Sequence, residues 1–228
     1  MSTALDSLRF SIVTVCVNRW EFLRRSLPTW HAIPNVARIV VATYDFDPVP
    51  DWLSGVTLLS IDAPQFHKTR ALNAAAKYTL EADQPSHLLF IDSDVLVMTV
   101  PQSLPDSLAA VPASFNHHAK PVWQHVYSRF GLTLPLASPP TLVSRDRTAP
   151  YFNSGVIVVP GPVAKRLAAS WIDTAMQIDG DPQVPDSSKR PNLSQLALPV
   201  AAARLGLGIE VVIHDGISPA GHGGLPKR

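Results

Sequence analysis

The sequence has a single cysteine, no unbroken apolar stretch of membrane-spanning length, no block of like charges, and no glycine in the segment VCVNRWEF that follows its first apolar run. Each shortage excludes something. With Cys16 alone there is no internal disulfide, which suits a reducing compartment, so a cytoplasmic location is the expectation. The apolar runs fall short of the ~18 residues of a membrane helix, and MSTALDSLRFSIVTVCVNRW, with Asp6 and a short β-branched run, reads as a first strand rather than a signal peptide. A formal net charge of +1 leaves no electrostatic footprint for nucleic acid or anionic lipid. The glycine-rich phosphate loop that some nucleotide-binding folds place after their first strand is absent.

What is present fits one sizeable globular domain spanning 1–228, with 46% hydrophobic and 16% charged residues. Continuous apolar runs at Phe10 to Val17, Arg38 to Thr43, Val56 to Ile61, His87 to Ile91, Val156 to Val159 and Ile209 to Ile213 read as buried strands. Helical stretches alternate with them at Glu21 to Thr29, Thr69 to Ala82, Ala164 to Gln177 and Asn192 to Leu205. That alternation predicts an α/β fold with a mostly parallel central sheet flanked by helices. Proline, at 22 residues, is close to twice its usual share of about 5%. Much of it lies between Pro101 and Pro162, where long ordered loops are expected. Gln102 to Pro150, with His117, His118, Trp123 and Tyr127, is expected to form the acceptor side of a cleft outside the sheet, although Trp123 and Tyr127 are also spaced as the buried face of a short helix.

Polar residues follow the strands: Asn18 and Arg19, Tyr44 and Asp45, Asp62, Asp92 and Asp94, His214 and Asp215. In open parallel α/β sheets this edge binds ligands. Asp92-Ser93-Asp94 comes directly after HLLFI, so the strand's period of two turns both carboxylates the same way. Two such charges repel unless a cation neutralises them, and a hard cation such as Mg²⁺ or Mn²⁺ would also bridge a diphosphate. Two aspartates in an ordinary turn are the plain alternative. Arg70, Asn73 and Lys77 form a stripe along the preceding helix that is either functional or simply solvated.

The segment HKTRALNAAAKYTLEADQPSHLLFIDSDVLV resembles the region of GT-A glycosyltransferases in which an Arg/Asn-bearing helix leads into the DxD strand, and YFNSGVIVV is similar to the Phe-Asn-(Ala/Ser)-Gly element of the glycogenin-like retaining families; the chain as a whole most resembles glycogenin-like and family 2-like bacterial members. The resemblance implies a Rossmann-like GT-A domain. It further implies a metal site at Asp92, Asp94 and His214, and a nucleotide-sugar donor, a UDP-sugar first, near Thr14, Asn18, Asp45, Lys68, Arg70, Asn73, Ser93, Ser154, Gly155 and Lys227. Asp94, Asn153 and Gln195 are the implied catalytic residues. NLSQLALPVAAARLGL is similar to a family helix that opens with Asp-Gln, but Ser194-Gln195 stands here, so Asp181 or Asp186 is considered as a substitute acid. His222 with Lys227 offers an alternative third ligand to His214, and Cys16 is expected to be a strand residue without nucleophilic character.

The implied reaction is transfer to an acceptor that is a saccharide, a lipid-linked molecule or a protein, and the Phe-Asn-Ser-Gly element favours retention. Two other readings are weighed. A haloacid-dehalogenase-type phosphohydrolase also has an Asp-x-Asp strand, but its motif continues with Gly-Thr where Val95-Leu96 stands here. The second is a nucleotide-sugar-binding protein or sugar nucleotidyltransferase on a related fold, and the glycine-rich N-terminal phosphate loop that such nucleotidyltransferases need is absent.

Overall fold

The computed structural model describes residues 9–63, 65, 67–98, 103–190 and 192–212. Among them are strands β1 (Phe10–Val15), β2 (Val36–Tyr44), β3 (Thr57–Ile61), β4 (His87–Ile91), β5 (Ala109–Pro112), β6 (Phe152–Pro160) and β7 (Glu210–Val211). The helices are α1 (Trp20–His31), α2 (Lys68–Asp83), α3 (Lys120–Arg129), α4 (Gly161–Asp179), α5 (Asp186–Lys189) and α6 (Leu193–Arg204). The strands form one sheet in the order β3-β2-β1-β4-β6-β5-β7. β6 runs antiparallel to β4 and β5, and the remaining pairings are parallel. The expected mostly parallel α/β sheet flanked by helices is therefore observed.

The continuous apolar strands are explained by cover on both faces. Successive side chains of a strand point to opposite sides, and here they enter two separate cores. Val13, Val40, Ala42, Leu88, Phe90, Ile157 and Val159 pack with α2, α4 and α6. Ile12, Ile39, Val41, Leu89, Ile91 and Val158 pack with Leu23, Leu27 and Trp30 of α1. Fully burying one such side chain is worth roughly 1.5–3 kcal/mol, so a charge introduced on either face of β1 or β4 has nowhere to go. Edge strand β3 alternates in exposure instead.

The stretch from Gln102 to Pro150 departs from expectation. It contributes β5, which lies inside the sheet between β6 and β7, and it contains α3. Trp123 and Tyr127 of α3 are 0% and 1% exposed, so they belong to the core and offer no face to a sugar. His118 is buried beside them, with its ring 5.5 Å from that of Trp123, whereas His117 is exposed.

Candidate active site

Chain order places β2 and β3 on one side of β1 and β4 on the other, so the sheet's strand order reverses between β1 and β4. Connections leaving the two strands there diverge and open a crevice at their C-terminal ends, the usual ligand position in such sheets. A cavity of about 450 Å³ occupies that place. The segment after β1 supplies Val17, Asn18 and Arg19, the segment after β4 supplies Asp92, Ser93 and Asp94, and Phe46 and Lys68 close the sides.

Local bonds hold each wall. Asn18 adopts φ 53°, a left-handed conformation that Asn tolerates, and its N–H donates to the buried Asp47 carboxylate at 2.9 Å. The loops after β1 and β2 are thereby tied together. Phe46, half exposed, stacks on the ring of Tyr44 at 5.3 Å. β4 ends at Ile91, and Asp92 to Val95 form a turn closed by the Val95 N–H on the Asp92 carbonyl at 3.0 Å. The two carboxylates thus reach one cavity through a turn, not through strand alternation. Helix α1 grips this segment: Ser26 donates to the Ser93 carbonyl at 2.6 Å, Trp30 Nε1 to the Val95 carbonyl at 2.9 Å, and Thr29 Oγ1 accepts from the Val97 N–H at 3.1 Å.

Because β6 is antiparallel to β4, its beginning, not its end, reaches this edge. The Asp92 N–H donates to the Gly155 carbonyl at 2.8 Å, and Asn153 Oδ1 accepts from the Gly155 N–H at 2.8 Å. Lys68, at the start of α2, pairs with Asp92 Oδ1 at 2.5 Å and donates to Ser154 Oγ at 3.0 Å, which in turn meets Ser194 Oγ of α6 at 3.0 Å. One chain of contacts therefore joins β4, α2, β6 and α6. Its far end borders a second cavity of about 310 Å³, lined by His67, Lys68, Thr69, Lys189, Arg190, Leu193 and Ser194.

Of the residues expected at the site, Asn18, Lys68, Asp92, Ser93 and Asp94 line the first cavity, and Asn153, Ser154 and Gly155 stand directly behind Asp92. Thr14 does not reach it: the residue is wholly buried within β1 and its hydroxyl has no partner among the described residues. Asp45 is exposed beside the cavity's Phe46 and accepts a hydrogen bond from Ser60. Arg70, Asn73 and Gln195 are half-buried and line neither cavity. The substitute acids are occupied elsewhere. Asp181 is buried between His125 (2.9 Å) and Arg129 (3.1 Å), and the His125 hydrogen bond holds its carboxyl below the usual range. Asp186 is 94% exposed and faces Lys189 at 3.5 Å. His214, His222 and Lys227 lie outside the described residues. Burial pushes the Cys16 thiol up to about 12, so it stays a protonated, apolar neighbour of the crevice.

Phe46, Lys189 and Arg190 were not singled out in the sequence, whereas Arg19 was among the polar residues expected at this edge. Phe46 had one signal available, its position shortly after a strand. Lys189 and Arg190 had none, because only the tertiary fold brings them to a cavity that Lys68 also lines.

A Rossmann-like sheet with its polar crevice at the point of strand-order reversal defines a ligand-binding α/β domain. The domain is that of a transferase: residues 28–206 match the family model described as Rhodobacterales glycosyltransferase domain, and the chain belongs to that family. No curated protein matches the chain. Membership goes with the glycosyltransferase expectation and not with the phosphohydrolase or nucleotidyltransferase alternatives. Among the described residues no helix is long and apolar enough to cross a membrane.

Proposed function

We propose that the protein is a GT-A type, metal-dependent glycosyltransferase that transfers a sugar from a nucleotide-sugar donor, a UDP-sugar in the first instance, with retention of anomeric configuration. The observation that carries this reading is the meeting of Asp92, Asp94, Lys68, Arg19 and Phe46 around one cavity at the β1/β4 crevice.

The donor set suits a hard divalent ion. Mg²⁺ and Mn²⁺ take oxygen ligands, and Mg²⁺ in particular is commonly bound through one or two carboxylates, several waters and substrate phosphates. Two carboxylates therefore suffice as the protein's share, and the pair already draws a cation from its own chain, Lys68. Among the described residues no group of three His, Cys, Asp or Glu stands together; His214, outside them, is proposed as a third ligand beside the pair. When bound, such an ion offsets the charge that develops on a leaving diphosphate.

The remaining work falls to side chains. Lys68 fixes the orientation of Asp92 and adds positive charge beside a diphosphate, with Lys227 proposed as a second such contact. Phe46 offers a half-exposed ring face to a nucleobase, and Arg19 offers donors to ribose or phosphate. Asn153, Ser154 and Gly155 back the donor sugar. Retention is favoured by the Phe-Asn-Ser-Gly element, whose Asn153, Ser154 and Gly155 stand directly behind Asp92. Thermal-shift screening of UDP-, GDP- and dTDP-sugars with Mn²⁺ tests the proposal. A UDP-sugar is expected to raise the melting temperature most, and a chain stabilised by none of these donors would overturn the reading.

A further inference from the structure

The second cavity differs in character from the first. Asp92 and Asp94 supply negative charge to the donor cavity, whereas every ionisable side chain among the described residues lining the second is basic: Lys68, Lys189, Arg190 and His67. Thr69 and Ser194 add hydroxyl groups, which meet His67 Nδ1 at 2.8 Å and Ser154 Oγ at 3.0 Å. Lys189 is 5% exposed, with its ammonium held by the Asp179 carbonyl at 2.9 Å and 3.5 Å from the Asp186 carboxylate, so its charge is fixed at the wall and is not a mobile surface cation. Arg190 is anchored by one nitrogen on Asp179 at 2.9 Å, which leaves other donors of its guanidinium fork available. The buried Nε2 of His67 has no partner among the described residues, while its Nδ1 meets the Thr69 hydroxyl at 2.8 Å. The first residues of α2 and α6 also line the cavity, and neither helix has a side-chain cap on its first turn.

Resting on the donor reading above, we infer that this cavity is the acceptor subsite and that it takes an acceptor bearing an oxyanion, a phosphate or a carboxylate. Lys68 stands in the wall of both cavities, so the two adjoin through its side chain. Fixed cations, hydroxyl groups and an unfilled imidazole nitrogen are wasted on a neutral sugar and matched by an anionic one.

The test is calorimetric titration of the whole chain, saturated with UDP and Mn²⁺, with three probes: glucose 1-phosphate, glucuronic acid and methyl glucoside. Charge-assisted hydrogen bonds predict that at least one anionic probe binds about tenfold or more tighter than the neutral one. The phosphate and carboxylate arms tell which anion is preferred. Arg190→Gln is expected to remove most of that preference and Arg190→Lys to restore part of it, while UDP binding, read in its own titration, persists in both. Equal binding of neutral and anionic probes overturns the inference, as does an anionic probe that binds without UDP and is expelled by it, since the anion would then occupy the donor's place. Failure of UDP to bind at all counts against the donor reading instead, and a charge preference among the probes is still measurable in that case.

Discussion

Asp92 and Gly155 are in contact through both backbone and side chain: the Asp92 N–H donates to the Gly155 carbonyl at 2.8 Å, and a Cβ on Gly155 would lie 3.0 Å from Asp92 Oδ2. The same Cβ would lie 3.0 Å from Asn153 Oδ1. The glycine is there for space beside a carboxylate.

Gly155→Ala is therefore expected to displace the Asp92 carboxylate by a few tenths of an ångström. Asp92 is partly exposed and can yield, so the stability cost should stay near 1 kcal/mol. Misplacing a catalytic group by about 1 Å costs roughly a hundredfold, so a shift of a few tenths is predicted to lower kcat/KM by a few-fold to about tenfold. Steady-state kinetics beside a melting curve checks this; a large fall in melting temperature with unchanged kcat/KM would show that Gly155 serves the fold only.

Trp123→Ala should act in the opposite sense. The ring is wholly buried, packs edge-on to Tyr151 at 5.5 Å and donates Nε1 to Asn116 at 3.2 Å. Removing it is expected to cost about 3–5 kcal/mol, read as a lower urea midpoint, with donor KM unchanged in the folded fraction. A raised KM at unchanged stability would return Trp123 to the binding surface.

The sequence made some of this legible and hid the rest for definable reasons. β1 and β4 were readable because strands covered on both faces show unbroken apolar runs, and Asp92, Asp94 and Ser154 were readable because they follow or open such runs. β5 was missed because Ala109–Pro112 is short, has one β-branched residue and ends in proline, so it carries no strand signature. Trp123 was ambiguous because an aromatic at helical spacing suits a core and a sugar-binding face alike. Thr14 was misplaced because a strand that is buried to within a residue of its end turns even a hydroxyl inward. The link from Lys68 through Ser154 to Ser194 joins three elements distant in sequence, and no local pattern encodes it.

Acid stability should carry the mark of His118. Burial, with a smaller contribution from neighbouring His117, pushes its imidazole down to about 4, and neither ring nitrogen has a partner among the described residues. The folded value lies below the unfolded 6.5. The unfolded chain therefore takes up a proton first, and stability that is full above about pH 6.5 is lost as the pH falls toward 4. This group accounts for on the order of 3 kcal/mol of that loss. His118→Phe should flatten the dependence of urea midpoint on pH between about 7 and 4.5; an identical slope in the variant would contradict the assignment.

Asp92 and Asp94 are proposed above to bind a divalent ion together with a nucleoside diphosphate. Calorimetric titration of UDP into the wild-type chain and into Asp94→Asn, each with Mn²⁺ and again with excess EDTA, tests that proposal most directly. The substitution keeps the side chain's shape and removes one repelling charge from a turn at the sheet edge, so the fold should survive it. Wild-type binding is expected to depend on Mn²⁺, and Asp94→Asn is expected to weaken it by about tenfold or more. UDP binding that is equally strong in EDTA, or equally strong in Asp94→Asn, would contradict the proposal.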